Sequence, residues 1–105
     1  MKRLALPKLT PDEKRKALRK AREMRSKRAE IRRGLKDGRL SLIQILNSLD
    51  DEAIARMRVV YLLESLPRIG KATTKKIMQE IGIDQSRRVQ GLGNRQRGAL
   101  LEKLG

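Results

Sequence analysis

The chain has 105 residues, enough for one small domain with a modest core, and it contains neither Cys nor His. Disulfides, thiol or imidazole catalysis, and the usual soft or nitrogen ligands for metals are therefore excluded. Lys and Arg outnumber Asp and Glu by 27 to 12, and the resulting net charge of +15 indicates a polyanionic partner, most commonly a phosphate backbone.

The first predicted element is a long basic helix. Thr10 is placed as its N-cap, Pro11 at its first position and Glu13 where it would complete a capping box. Nothing interrupts the helical pattern until Gly34 and the turn at 37–38, so a helix of about 25 residues is predicted. Residues 1–40 contain 16 Lys plus Arg against 5 acids. We therefore divide the chain into a basic arm and helix over 1–39 and a helical body over 40–105.

The middle of the chain is apolar. Residues 41–66 have a net charge of −2, whereas the segments before and after carry +11 and +6. Ser41 is placed to cap a short helix extending to about Leu49, with Gln44 at the capping-box position. The apolar run from Val59 to Leu66 lacks period-two alternation, which favours a buried helix over a strand. These residues are expected to form the core.

Two basic turns follow. Pro67 and Gly70 punctuate a turn that leads into a helix over 71–81, with Gly82 as its C-cap. Unpaired backbone N–H groups at such a helix start, beside cations, are suited to hold a phosphate; an ordinary helical corner is the alternative. The segment 86–93 forms a second basic turn, and Asn94 is expected to cap the last helix.

The sequence also limits the kind of partner. Tyr61 is the only aromatic residue, which weighs against single-strand binders that stack bases on several aromatic side chains. Duplex backbone recognition fits better. The first residues contain no signal-peptide core and no spanning segment, so a cytoplasmic protein without membrane contact is expected.

These motifs resemble a known family. Leu66-Pro67-Arg68-Ile69-Gly70-Lys71 is similar to a helix-hairpin-helix turn, and the segment from Ser86 to Arg97 is similar to the C-terminal signature of the actinobacterial integration host factor family. The resemblance extends over nearly the whole chain. It implies an all-α, helix-two-turns-helix protein of the nucleoid that binds double-stranded DNA with little sequence preference, bends or constrains it, and supports chromosome organisation, transcription regulation and phage integration.

The resemblance also implies which residues contact DNA. They lie in the first turn and its helix, in the second basic turn and on the basic arm: Arg68, Ile69, Gly70, Lys71, Thr73, Lys75; Arg87, Arg88, Gln90, Gly91, Gly93, Asn94, Arg95; and Lys8, Lys14, Arg15, Arg19, Arg22. Two positions depart from a typical turn of this kind. Arg68 stands where glycine is usual, and Thr74 stands where alanine is usual.

Other functions are less well supported by the sequence. A ribosome-associated RNA-binding protein is the main alternative, because the same helical class and charge would suit it. Enzyme activity on a flipped base would require a pocket for which a helical chain of this length offers little room. We therefore expect a monomeric, non-enzymatic protein without cofactors.

Overall fold

The computed structural model describes residues 9–105, and its first helix is as long as the sequence predicts. This helix, α1, spans Pro11–Lys36. The Glu13 N–H donates to Thr10 Oγ1 at 3.1 Å, and the Thr10 N–H donates to Glu13 Oε1 at 3.4 Å. The predicted capping box is therefore confirmed, and it fixes where the helix begins.

Only the carboxyl-terminal part of α1 is anchored in the core. Its buried residues are Ile31, Gly34 and Leu35, and Met24 is partly buried. The helix leads directly into the body: the Leu40 N–H donates to Gly34 O at 3.0 Å. The proposed boundary between 39 and 40 stays a prediction, since the end of α1 shares the core of the body.

Three short helices follow, α2 over Leu42–Leu46, α3 over Glu52–Ala55 and α4 over Val59–Glu64. The capping box of α2 is confirmed by the Ser41 N–H, which donates to Gln44 Oε1 at 2.8 Å. The α2 helix ends before Leu49, so it is shorter than the apolar pattern predicts, although Leu49 still packs against the core. The helical prediction for 59–66 is confirmed over α4.

The last helices are α5 over Lys71–Ile81 and α6 over Asn94–Leu104, with a 3₁₀ helix over Val89–Gly91 between them. The C-cap Gly82 has a φ of +85°, a conformation that glycine adopts without strain. The expectation that Asn94 caps α6 is wrong. Asn94 already occupies the first helical position, and Gly93 is the cap residue.

One hydrophobic core receives side chains from every helix. Its most deeply buried members include Leu35, Leu46, Met57, Leu62, Leu63, Met78 and Leu100. The predicted all-α fold is confirmed, because the residues from 9 onward form helices and one isolated backbone bridge but no strand. Within this range, no helix combines the length and the apolar character needed to cross a bilayer.

Candidate nucleic-acid interface

The turn before α5 presents an open helix amino terminus. Gly70 is the N-cap, and no side chain caps the helix. The Thr74 N–H donates to Gly70 O at 3.0 Å, so the N–H groups of the preceding three residues have no partner within the helix. A Cβ added at Gly70 would meet no atom within 4 Å. Gly70 has a φ of −96°, which any residue can adopt, so the protein itself does not require glycine there.

Arg68 gives this turn an unusual backbone. Its φ of +67° makes it the one described residue other than glycine in the left-handed region, at the position where a related turn has glycine. The Ile69 N–H donates to Leu66 O at 3.2 Å, and Ile69 packs partly buried against the core. Ile69 therefore holds the turn in place, and its DNA contact stays a prediction.

The cations predicted around this turn are available to a ligand. The side chains of Arg68, Lys71, Thr73 and Lys75 are all exposed. Thr74 is different: it is fully buried, and its hydroxyl finds no hydrogen-bond partner in the described part of the chain. Thr74 thus packs the helix against the body, but its unpaired hydroxyl lowers the free energy of unfolding.

The second basic turn is fixed by backbone pairing with the segment before α4. The Val59 N–H donates to Arg87 O and the Val89 N–H donates to Met57 O, both at 2.9 Å. Val89 is buried and anchors the pairing. The side chains of Arg87 and Arg88 are both exposed, and both residues line the same cavity.

Hydrogen bonds to carbonyl groups then orient the two arginines. Arg88 Nη1 donates to Arg56 O at 2.6 Å, and Arg87 Nη1 donates to Gly91 O at 3.3 Å. Carbonyl partners are uncharged, and in residues 9–105 no carboxylate lies within ion-pair distance of either guanidinium, although the charge of Arg87 helps to lower the pKa of Asp84. The nearby Asp84 instead accepts from the Ser86 hydroxyl and the Ser86 N–H, and these bonds lower the pKa of that carboxyl.

The amino terminus of α6 is held by Gln96, a residue that the sequence reasoning missed. Gln96 Oε1 accepts from the Gly93 N–H at 3.0 Å, and Gln96 Nε2 donates to Gly82 O at 3.1 Å. The signal was its position three residues after Gly93, the spacing of a capping box. The predicted contacts Gly91, Gly93, Asn94 and Arg95 are all exposed around this helix start.

The two glycine-led helix starts do not form a single site. Gln96 places the start of α6 at the end of α5, whereas Gly70 stands at the beginning of α5. The rise along α5 puts them on the order of 18 Å apart. A ligand that contacts both must therefore be extended.

A cationic groove of about 700 Å³ lies between α1 and the body. Arg88 and Gln90 line one wall with Arg56, and α1 supplies Ala17, Lys20, Ala21, Met24, Arg25 and Arg28. Glu52 is the acidic member of this lining. The groove therefore joins two of the predicted site residues to a set of α1 cations that the sequence reasoning did not select.

The predicted α1 residues lie elsewhere on the same helix. Lys14, Arg15, Arg19 and Arg22 are exposed and do not line the groove, and Arg15 is paired with Asp12 at 2.8 Å. Their spacing of four and three puts Arg15, Arg19 and Arg22 on one helix face, turned away from Ala17, Ala21 and Met24. Thus α1 has two basic faces. Lys8 lies outside the described residues.

Few of the cations in this structure are neutralised. In residues 9–105 five ion pairs form, on Arg15, Lys20, Arg39, Arg56 and Lys103. The same range contains no group of three or more acidic residues placed to hold a metal ion. The accessible chemistry is therefore that of exposed guanidinium and ammonium groups together with backbone N–H groups at helix starts, all of which suit phosphate.

Comparison with known proteins identifies relatives over nearly the full length. Residues 35–104 match the S13-like H2TH domain. The integration host factor of Mycobacterium tuberculosis H37Rv is 47% identical over 103 residues, covering 97% of this chain and 98% of that protein. The integration host factor of Streptomyces coelicolor is 43% identical over 103 residues, covering 97% and 96%. A solved structure of sIHF bound to an 8-bp palindromic DNA is 41% identical with a TM-score of 0.80, covering 83% of this chain and 99% of that one.

Proposed function

Since the chain belongs to the integration host factor family of mycobacteria and Streptomyces, we propose that it is a non-enzymatic architectural protein that binds double-stranded DNA. The observation that carries this proposal is the uncapped start of α5, where open backbone N–H groups stand beside exposed Arg68 and Lys71. The space above Gly70 lets a phosphate approach the backbone, which a side chain would hinder. The solved relative bound to DNA supports the same ligand class.

Low sequence preference follows from the chemistry of the exposed groups. Helix-start N–H groups and cations recognise phosphate, which every base pair carries, and phosphate contacts position a protein without reading sequence. The binding should therefore depend steeply on salt, because each neutralised phosphate releases condensed counterions. If about six to ten phosphates are contacted, affinity falls roughly a thousandfold or more between about 50 and 200 mM salt.

Bending is proposed because the exposed cations lie on more than one surface of the protein. No residue from the start of α5 lines the groove that α1 shares with the second basic turn, and the face of α1 with Arg15, Arg19 and Arg22 is turned away from that groove. A duplex gains further phosphate contacts by curving toward more than one of these surfaces, and this gain offsets the cost of deforming it. Chromosome organisation, transcription regulation and phage integration would follow from such bending, in a monomer located at the cytoplasmic nucleoid.

The decisive experiment combines binding with DNA topology. Anisotropy titrations with a 25-bp duplex over a range of salt should give a steep negative slope, and relaxation of closed circles should show a changed linking number. The variant Arg87→Ala/Arg88→Ala and the triple variant Arg15→Gln/Arg19→Gln/Arg22→Gln should each weaken both effects. Lys103→Gln is the matched control, since Lys103 is already paired with Glu80 at 2.9 Å.

The same titration decides between DNA and RNA. A structured ribosomal RNA fragment measured at matched salt should bind more weakly than the DNA duplex if the proposal is correct. A clear preference for RNA would instead favour the ribosome-associated alternative. A flat salt response for the unmodified protein would reject phosphate recognition altogether.

A further inference from the structure

The groove between α1 and the body is a surface that neither element could form alone. Its cations come from both walls, with Lys20, Arg25 and Arg28 on α1 and Arg56 and Arg88 on the body. Met24 and two alanines line it between these charges and leave room at its base. The cations therefore line a shared open volume of about 700 Å³.

A carboxylate of the protein itself lines this volume and already pairs with two of its cations. Glu52 Oε2 lies 3.4 Å from Lys20 Nζ, and Glu52 Oε1 lies 3.2 Å from Arg56 Nη2. One carboxylate thus contacts a cation from each wall, as a bridging phosphate would. The arrangement is weak: the side chains of Lys20 and Arg56 are 63% and 62% exposed, and such surface pairs contribute little and are screened by salt.

The remaining groove cations are left for a ligand. In the part of the chain that the structure describes, no carboxylate lies within ion-pair distance of Arg25, Arg28 or Arg88. The bond from Arg88 to Arg56 O holds the Arg88 guanidinium at the wall without neutralising it. An incoming polyanion therefore meets three uncompensated cations and two that Glu52 shares.

We propose that this groove is a phosphodiester site for the duplex, and that Glu52 acts in it as an internal competitor. The inference rests on the proposed function and adds a site and a residue to it. When DNA enters, its phosphates replace the Glu52 carboxylate at Lys20 and Arg56. The carboxylate then stands beside the bound phosphates as a like charge, and it lowers affinity both by competition and by repulsion.

A substitution that neutralises Glu52 tests the competitor role. Glu52→Gln keeps the size of the side chain and removes its charge, so duplex affinity should rise roughly three- to tenfold at low salt, with the gain shrinking as salt increases. Glu102→Gln is the matched control, because it makes the same charge change on α6 at an exposed residue outside the groove lining, the ion pairs and the predicted DNA contacts. It should change affinity by less than about twofold.

A second variant separates competition from simple bracing of α1. If the Lys20–Glu52 pair only holds α1 against the body, Lys20→Gln and Glu52→Gln should shift affinity in the same direction. If the groove binds phosphate, Lys20→Gln weakens binding while Glu52→Gln strengthens it. Thermal unfolding by circular dichroism confirms that each variant is folded before its affinity is compared.

The outcomes of these titrations distinguish the two proposals. A gain for Glu52→Gln that equals the gain for Glu102→Gln would overturn the competitor role, as would tighter binding by Lys20→Gln. Either result, obtained with an unmodified protein that still binds duplex with a steep salt slope, leaves DNA binding intact. An unmodified protein that fails to bind the duplex would overturn the proposed function itself.

Discussion

Replacing Arg68 with glycine should make the protein more stable and should weaken its binding to DNA. Arg68 holds a φ of +67°, and a left-handed backbone costs a residue with a β-carbon about 1 kcal/mol or more. Glycine avoids that cost, although its greater freedom in the unfolded chain returns about 0.5 kcal/mol. Arg68→Gly should therefore raise the free energy of unfolding by about 0.5–1 kcal/mol, which corresponds to roughly 3–6 °C in Tm.

The same change removes an exposed cation beside the open start of α5. Losing one phosphate contact should reduce the salt slope of duplex binding by about 1 and weaken affinity about fivefold at low salt. Arg68→Ala is the matched control, because it removes the charge but keeps a β-carbon in the left-handed conformation. It should lose the same affinity and gain no stability.

Urea unfolding and anisotropy titrations on the three proteins separate the two effects. If Arg68→Gly is no more stable than Arg68→Ala, the backbone of this turn is not strained and the stability argument fails. If both variants keep the affinity and salt slope of the parent, the turn does not contact phosphate. Arg68→Lys, with the charge retained, should bind almost as tightly as the parent protein.

Three further changes probe single features. Gly70→Ala should leave Tm within about 1 °C, because the site is open and its φ is ordinary, yet it should weaken duplex binding severalfold in an anisotropy titration. Thr74→Val keeps the shape of a fully buried side chain and removes its unpartnered hydroxyl, so urea unfolding should show a gain of about 1 kcal/mol; a loss would mean that the hydroxyl is satisfied. Lys103 lowers the pKa of Glu80 below its ordinary value of 4.5, so this pair contributes stability above that pH and loses it as the pH falls through the lower, folded-state pKa. Glu80→Gln should therefore reduce the loss of stability that urea midpoints show between pH 6 and pH 3. An unchanged loss would exclude the pair as its source.

Local signals in the sequence predicted the helices well. Thr10 with Glu13 and Ser41 with Gln44 marked two starts, and Gly82 marked an end, because caps depend on residues three or four positions apart. The predicted cap of α6 was wrong by one residue. Gly93 and Asn94 both suit a helix start, and the choice depends on how Gln96 reaches Gly82.

The groove could not be predicted in the same way. Its walls meet because residues 57–59 pair with 87–89 and because α1 packs on α3, contacts between segments far apart in the chain. The cations of α1 were visible in the sequence, but the helix carries them on several faces, and only packing selects Lys20, Arg25 and Arg28 for the side toward the body. The left-handed backbone of Arg68 did have a local signal, because glycine is usual at this position of the turn, but the pattern alone did not show that a residue with a β-carbon would adopt it.

The junction at Gly34 lies where the end of α1 meets the helical body. A Cβ at position 34 would lie 2.7 Å from Leu40 Cδ1, because the chain folds back there and Leu40 packs closely on the end of α1. The carboxyl-terminal end of α1 is therefore held by the core of the body, whereas the helix before Met24 is largely exposed. If, as proposed, a duplex contacts both α1 and the body, packing at this junction sets how the two contact surfaces are placed, and the proposed curvature of the duplex depends on it.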